Sequence, residues 1–333
     1  MNNELLLKIE HSKNVLRTAA EISKQYYHAP LILTYSGGKD SDVMLHLALS
    51  CLEPDEFEVL NSHTTVDAPQ TIYHIRDTFK MLEEKGIKCT VKMPRYKGEP
   101  TSMWKLIVDK KIPPTRIMRY CCSVLKEAST ANRIASLGVR ESESAGRKGR
   151  NDFGILGRTK ADGLWFSYEH IREVFADSLE NARLYGKPVD EVDIEDCTFI
   201  VKSKEGRETV CNPIYKWTDD DVWEYIKESD IKLCDLYFPP YNYTRVGCVG
   251  CPLATVANQK REFEDFPIYK KNYIRAFDRM LERRKADNNK ILKCDFKTGE
   301  EVFRWWLGED PNQVRFEDFL GDFDDKGEFG HEK

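Results

Sequence analysis

Apolar and polar positions along the chain alternate between two periods. From Glu4 to about Tyr27, Leu6, Leu7, Ile9, Val15, Leu16, Ala19, Ala20 and Ile22 recur at near-helical spacing among lysines and glutamates, which predicts a lead-in helix. Ala29-Pro30-Leu31-Ile32-Leu33-Thr34-Tyr35 is a short apolar run that ends in a glycine-containing loop, and the stretch from Asp42 to Leu49 has helical character. The order is therefore strand, loop, helix. It repeats with Phe57 to Leu60 as strand, Ala68 to Lys85 as helix, Cys89 to Met93 as strand and a helical stretch from about Ser123 to Leu137. Strands alternating with helices predict βαβ units, hence an α/β fold with a doubly wound, mostly parallel sheet that binds ligands at the carboxyl ends of its strands.

The pattern loosens from Ala145 to about Glu208, which reads as an insertion carrying a basic loop, Gly146-Arg147-Lys148-Gly149-Arg150, and a helix from Glu169 to Tyr185. Thr218 is placed to cap a helix from Asp219 to Glu228, whose three leading aspartates suit its positive end. Glu262 to Lys290 reads as one or two helices, and the acidic tail after Asp322 as frayed. The expected organisation is an N-terminal helix over residues 1–28, a central α/β domain over 29–253 with its insertion at about 145–208, and a helical C-terminal region over 254–333.

Composition narrows the class. With 333 residues, 41% hydrophobic and 32% charged, the chain can bury a full core and has no disordered bias. Its longest apolar runs, Leu31 to Leu33 and Met44 to Leu49, fall short of the roughly 18 residues of a membrane span. The first eight residues turn polar at once, unlike a signal peptide, so the expectation is a cytoplasmic protein with no membrane partner. A net charge of −5 argues against broad attraction to nucleic acid. Local basic stretches remain, in the 146–150 loop and from Lys260 to Arg284, where Phe266, Tyr269, Tyr273 and Phe277 are interleaved. Such a stretch can hold a phosphate backbone, but more often it is an amphipathic helix with a solvated face.

The loop after the first strand carries the most specific chemistry. In Ser36-Gly37-Gly38-Lys39-Asp40-Ser41 the glycines let the backbone approach an anion closely, and their N–H groups point at it together with the helix N-terminus. Lys39 would neutralise charge on departing pyrophosphate, with Ser36 and Ser41 adding hydroxyl donors. Asp40 would either hold Mg2+ on the pyrophosphate or cap the helix. This is not a Walker A loop, which needs four residues between its glycine and its Gly-Lys-Ser/Thr end. The bland alternative is a tight strand-to-helix turn that uses glycine. The hexapeptide resembles the PP-loop of ATP pyrophosphatases, which cleave between the α- and β-phosphates.

Ten cysteines exceed what packing needs. The adjacent pair Cys121-Cys122 and the C-x-x-C of Cys248-Val249-Gly250-Cys251 together supply four thiolates, enough for an iron–sulfur cluster or a structural zinc. Adjacent cysteines point in different directions and suit a bulky cluster better than one small ion. A thioredoxin-type redox pair is a third reading, although this C-x-x-C follows a glycine and precedes a proline. Cys51, Cys89, Cys197, Cys211, Cys234 and Cys294 have no such spacing and read as packing residues.

Taken together, these motifs resemble the phosphoadenosine phosphosulfate (PAPS) reductase family, which includes adenylyl-sulfate reductases and the ATP pyrophosphatases of DNA phosphorothioation. The resemblance runs from about residue 29 to 253. It rests on the Ser36 to Ser41 loop, on Arg119-Tyr120-Cys121-Cys122 with Leu125-Lys126, and on Gly138-Val139-Arg140 with Glu143-Ser144 and Arg147. Asn212-Pro213, Trp217, Asp221-Val222-Trp223 and Gly247-Cys248 through Cys251 complete it in the family's order.

The resemblance implies an adenine nucleotide alpha hydrolase-like fold that binds ATP or an adenosine sulfonucleotide. It also implies a 4Fe-4S cluster on Cys121, Cys122, Cys248 and Cys251 beside the nucleotide, with zinc as runner-up. Gly138, Arg140 and Arg147 would contact the phosphate or sulfate end, the two arginines as anion clamps, and His63 and Thr64 would stand at the adenosine side. Two departures stand out. No cysteine follows Cys294, whereas the reductases carry their nucleophile in a C-terminal Glu-Cys-Gly-Leu-His tail. Ser62-His63-Thr64-Thr65 stands where relatives usually place an aspartate before the threonine.

The favoured expectation is a PP-loop ATP pyrophosphatase that adenylates a substrate oxygen for sulfur transfer. Lys39, Ser36, Asp40 and Arg140 would be its catalytic residues, and a sulfur-donor or thiol-reductant protein its partner. The alternatives are a sulfonucleotide reductase that releases sulfite and a non-catalytic nucleotide- or nucleic-acid-binding module.

Overall fold

The computed structural model describes residues 1–126, 130, 133–156, 163–185, 208–287 and 296–309. Helix α1 (Asn3–Tyr27) leads into β1 (Leu31–Thr34), α2 (Lys39–Leu49), β2 (Phe57–Ser62), α3 (Pro69–Glu84) and β3 (Cys89–Lys92). A two-stranded ribbon, β4 (Arg95–Tyr96) and β5 (Glu99–Pro100), precedes α4 (Met103–Lys110) and the short α5 (Tyr120–Leu125). Then come β6 (Ile134–Ser136), β7 (Phe153–Leu156), β8 (Leu164–Phe166), α6 (Tyr168–Tyr185), β9 (Glu208–Cys211) and α7 (Asp219–Glu228). Helices α8 (Val256–Asp265), α9 (Pro267–Ala286) and α10 (Gly299–Trp306) close the described chain. No helix among the described residues is long and apolar enough to cross a membrane.

The chain divides into two compact units. The first comprises Met1–His63, Pro69–Lys92 and Glu127–Gly247, and the second Thr64–Ala68, Met93–Lys126 and Cys248–Lys333.

The first unit holds a seven-stranded sheet in the order β3-β2-β1-β6-β9-β7-β8. The pairs β1–β2, β2–β3, β1–β6 and β6–β9 are parallel, while β7 runs antiparallel to both β9 and β8. The sheet is thus doubly wound and mostly parallel. From β1 the chain builds outward to β2 and β3 and then returns to place β6 on the other flank of β1, so the topological switch lies between β1 and β6. In such sheets the carboxyl ends of the two strands at the switch are the expected place for a ligand.

Two sequence expectations change here. The stretch from Ser123 to Leu137 is not one helix: α5 ends at Leu125, and Ile134–Ser136 is the strand beside β1, with residues 127–129 and 131–132 outside the described set. Ile134, Ala135 and Ser136 are all buried, so both faces of this three-residue strand are covered, and a short, doubly covered strand shows no alternation to set it apart from helix. The segment read as an insertion supplies β7 and β8 to the sheet, β7 through pairing with β9 and β8 through pairing with β7, and its 157–162 and 186–207 stretches lie outside the described residues. The acidic tail after Asp322, Cys197 and Cys294 also lie outside them.

Local chemistry explains the boundaries. The Asn2 side chain accepts the Leu5 N–H at 2.8 Å and starts α1, whose buried Leu5, Val15, Leu16, Ala19 and Ile22 form one face. Ser12 on that helix donates to the Pro213 carbonyl at 2.7 Å and accepts from the Trp217 indole at 3.0 Å, which satisfies polar groups inside the core. Thr218 and Asp221 form a reciprocal capping box at the start of α7, as the sequence predicts.

The second unit is helical around an aromatic core of Trp104, Phe263, Tyr273, Phe277, Phe303 and Trp306. The Trp306 indole donates to the Pro114 carbonyl at 2.6 Å. Within the expected stretch from Glu262 to Lys290 two helices run as far as Ala286, broken at Phe266 where Pro267 opens α9, and residues 288–290 lie outside the described residues. Phe266, Tyr273 and Phe277 are buried, so three of the four aromatic residues considered for nucleic-acid stacking belong to the core instead. Their helical spacing puts them on the inner face and leaves the lysines and arginines between them to solvent.

His11 on α1 lies 3.1 Å from the Asp152 carboxylate, and this bond raises the imidazole above its ordinary 6.5. The folded state therefore holds that proton more tightly than the unfolded chain does. The pair stabilises the fold fully below pH 6.5, and its contribution is lost as pH rises through the raised value. Urea unfolding of the wild type and of His11→Gln between about pH 6 and 8 should show a decline in the wild type that the variant lacks.

Candidate functional site

The PP-loop sits between β1 and α2 in the first unit. Gly37 has φ +71°, and a Cβ there would lie 2.9 Å from Ile75, so glycine is required for both backbone and space. The Ser41 hydroxyl donates to the Gly38 carbonyl at 2.8 Å and accepts from the Ser36 N–H at 3.3 Å, closing the loop on itself. Gly38 is the N-cap of α2 and no side chain caps it. The first N–H of the helix, that of Lys39, is taken by the Tyr237 hydroxyl at 2.8 Å, and Asp40 is not the cap.

The Asp40 carboxylate turns instead to Arg140. Its Oδ1 accepts from Arg140 Nε at 2.7 Å, while Arg140 Nη2 donates to Asp219 Oδ1 at 2.9 Å and Nη1 to Ser142 Oγ at 3.1 Å. Arg140 is 3% exposed, so a buried guanidinium joins the loop after β1, the loop after β6 and the first turn of α7. Gly138 allows this convergence, because a Cβ there would sit 3.3 Å from the Asp40 backbone.

Lys39 belongs to the same network. Its Nζ lies 3.3 Å from Asp219 Oδ1 and 3.9 Å from Asp40 Oδ2, and it donates to the Thr244 carbonyl at 3.3 Å. The Lys39 N–H donates to the Tyr237 hydroxyl at 2.8 Å. Burial works to raise the Asp219 carboxyl, but Lys39 and Arg140 outweigh it and hold it below the usual carboxylate value. Two cations and two carboxylates therefore balance at the start of α2.

A second basic group stands in the same unit. Arg147 contacts Glu143, and Arg245 Nη2 lies 3.6 Å from the same carboxylate. Burial lowers the Arg147 guanidinium to about 10, and the like charges of Arg245, Arg150 and Arg140 add to the effect. Arg147 and Arg245 share the one carboxylate of Glu143, so this group is short of negative charge, which an oxyanion would supply.

The four motif cysteines all fall in the second unit and are free thiols. Cys121 hydrogen-bonds Cys122, which raises the first thiol and holds the second below its usual value, with Arg119 and Lys126 assisting at Cys122. Burial pushes Cys248 up to about 11. The Lys126 ammonium is held above its usual value chiefly by Cys248, with Asp67, Cys251 and Cys122 adding to it. No three His, Cys, Asp or Glu side chains among the described residues stand together at metal-ligating spacing.

The C-x-x-C turn is anchored on several sides. The Val249 N–H donates to the Val66 carbonyl at 2.8 Å, the Tyr273 hydroxyl to the Val249 carbonyl at 3.1 Å, and the Gly250 N–H to Glu262 at 2.7 Å. Burial pushes the Glu262 carboxyl up to about 7, against the pull of that N–H.

This geometry meets a family signature. The profile of the phosphoadenosine phosphosulfate reductase domain matches residues 30–254, about two thirds of the chain. The chain belongs to the phosphoadenosine phosphosulfate reductase domain family. Among curated relatives, sulfate adenylyltransferase subunit 2 of Maricaulis maris is 23% identical over 62% of this chain and 59% of that protein. Adenosine 5'-phosphosulfate reductase of Staphylococcus saprophyticus is 35% identical over 18% of this chain and 24% of that protein. The chain thus spans less than two thirds of either relative. Of solved structures, the phosphoadenylyl-sulfate reductase of Candida auris covers 74% of this chain and 96% of its own at 14% identity, with a TM-score of 0.40. The U34-tRNA thiolase of Methanococcus maripaludis, solved with its 4Fe-4S cluster, covers 88% of this chain and 84% of its own at 14% identity and a TM-score of 0.37.

For this PAPS reductase-family chain, the structure groups Ser36, Gly37, Gly38, Lys39, Asp40, Ser41, Gly138 and Arg140 around one loop. Arg147 stands in the neighbouring basic group of the same unit. His63 ends a segment of the first unit and donates its N–H to the Lys92 carbonyl at 3.0 Å. Thr64 opens the second unit, where its hydroxyl hydrogen-bonds Cys248 and its N–H donates to Asp67. Asp219, Tyr237, Asp67 and Glu262 are additions that sequence reading missed. Asp219 had a signal, three aspartates in a row, but helix capping explained all of them equally well.

Removing one partner from a buried ion pair leaves the others uncompensated. Arg140→Ala should lower the free energy of unfolding by about 3 kcal/mol in chemical denaturation. Arg140→Lys should recover only part of that, since one ammonium cannot span Asp40 and Asp219 as the guanidinium fork does.

Proposed function

We propose that this chain is a PP-loop ATP pyrophosphatase that adenylates an acceptor oxygen so that a sulfur nucleophile, delivered by a partner protein, can displace AMP. The observation that carries the reading is the balanced set of Lys39, Arg140, Asp40 and Asp219 at the start of α2.

In this reaction the acceptor oxygen forms a bond to the α-phosphorus while the bond from that phosphorus to the bridging oxygen breaks. The electron pair leaves on pyrophosphate, and Lys39 with the loop N–H groups neutralises it there. Arg140 holds Asp40 and Asp219 in place. Magnesium is commonly bound through one or two carboxylates plus substrate phosphates, and Asp40 with Asp219 fits that requirement. Bound there, the ion would neutralise phosphate charge. The second-unit thiols fit a four-thiolate group by their chemistry, being free and offset by Lys126 and Arg119. A 4Fe-4S cluster on Cys121, Cys122, Cys248 and Cys251 would supply iron that binds sulfide or thiolate.

The test is an anaerobic preparation incubated with ATP and magnesium, with and without candidate acceptors, and assayed for AMP and pyrophosphate. Both products should form, and Lys39→Ala should cut their rate by about a hundredfold. Cys248→Ser should abolish an iron-dependent visible absorbance and lower bound iron. Sulfite release from adenylyl sulfate with an external thiol, and no ATP cleavage, would overturn the proposal in favour of sulfonucleotide reduction.

A further inference from the structure

The start of α2 is covered by a segment of the same unit, residues 237–246. The Tyr237 hydroxyl accepts the Lys39 N–H at 2.8 Å, and the Val246 backbone hydrogen-bonds the same hydroxyl. A Cβ on Gly38 would stand 3.5 Å from that oxygen, so Tyr237 lies directly against the N-cap. The Thr244 carbonyl accepts from the Lys39 ammonium at 3.3 Å, and the Trp223 ring centre lies 5.8 Å from the same ammonium. Under these contacts the Lys39 side chain is 5% exposed. Residues 238–246 belong to no helix or strand and are tied back on their own turn, the Tyr243 N–H donating to the Leu236 carbonyl at 2.8 Å and the Asn242 N–H to the Phe238 carbonyl at 3.0 Å.

An oxygen on the first N–H of a helix stands where an anion is favoured. Burial pushes the Tyr237 phenol up, so at neutral pH it is an uncharged acceptor. A phosphate oxygen accepts the same N–H in a charge-assisted bond of roughly twice the strength. The Lys39 ammonium likewise meets a carbonyl where the proposed reaction needs a phosphate. Both contacts come from one irregular segment, so a nucleotide that uses the Lys39 N–H and ammonium replaces them together.

We propose that Tyr237 latches residues 238–246 over the PP-loop, its hydroxyl holding the Lys39 N–H in place of a phosphate oxygen, and that a bound nucleotide displaces it. The latch rests on the reading of this loop as the nucleotide site. Tyr237 is then a positioning residue that sets affinity, because its hydrogen bond to Lys39 opposes the nucleotide's own.

Calorimetric titration of the full chain with α,β-methylene ATP and magnesium, in the wild type and in Tyr237→Phe, tests the latch. Phenylalanine keeps the ring and loses the competing hydrogen bond, so the variant should bind about fivefold more tightly, the factor of one net hydrogen bond. Its urea midpoint without nucleotide should fall. A hydroxyl with only a structural role would lower that midpoint and leave affinity unchanged. Tryptophan emission gives a second reading, because the Tyr237 ring packs edge-on to Trp223 at 5.8 Å. Nucleotide should change the emission of the wild type, and the change should be lost in Trp223→Phe; this reading decides if Tyr237→Phe does not fold. Affinity in Tyr237→Phe equal to or below that of the wild type, wild-type emission that stays constant at saturating nucleotide, or an emission change that survives Trp223→Phe would each overturn the latch and leave the nucleotide site standing. No binding by either protein would remove the nucleotide reading and the latch with it.

Discussion

The Arg140 guanidinium is the interaction on which the rest of the site depends. It is buried, carries a full charge, and bonds acids from two different parts of the chain: Asp40 in the loop after β1 and Asp219 at the start of α7. Neither carboxylate belongs to the β6 loop from which Arg140 itself comes. A parallel sheet reverses its winding between β1 and β6, and loops that diverge there need something to hold them at a common place. Here that is one forked cation together with the close approach that Gly138 permits.

The consequence is a loop prepared for negative charge. Lys39 shares Asp219 with Arg140, so the cation that would meet a phosphate is held by an acid over half exposed, with which an incoming anion can compete. The glycine N-cap of α2 and the self-closed Ser36–Ser41 turn shape the loop around the helix start. In the second unit the same economy of contacts serves the thiols, where an aromatic core fixes the C-x-x-C turn through Tyr273 while Lys126 and Arg119 offset thiolate charge.

Much of this was legible in the chain, and what was not has definite physical causes. The β1–loop–α2 unit and the α3 and β3 elements announce themselves, because apolar runs end in glycine and switch period within a few residues. The β6 strand does not, since three residues covered on both faces look the same as a helix segment. The β7 and β8 strands hide for a related reason, being short, with β7 separated from its partner β9 by a long polar stretch. The loop residues could be named from sequence, but the partner of Arg140 could not. Asp219 lies 79 positions away, and an aspartate after a threonine cap already has a local explanation. Interleaved aromatic and basic residues in α9 pointed outward on composition and inward on period, and the period was right.

The central claim is that the loop held by Arg140 is the nucleotide site. Calorimetric titration with α,β-methylene ATP and magnesium measures it without turnover, in the wild type and in Lys39→Met. The account predicts saturable binding by the wild type that weakens by about tenfold or more in the variant. Equal binding by both proteins, or none by either, would contradict it.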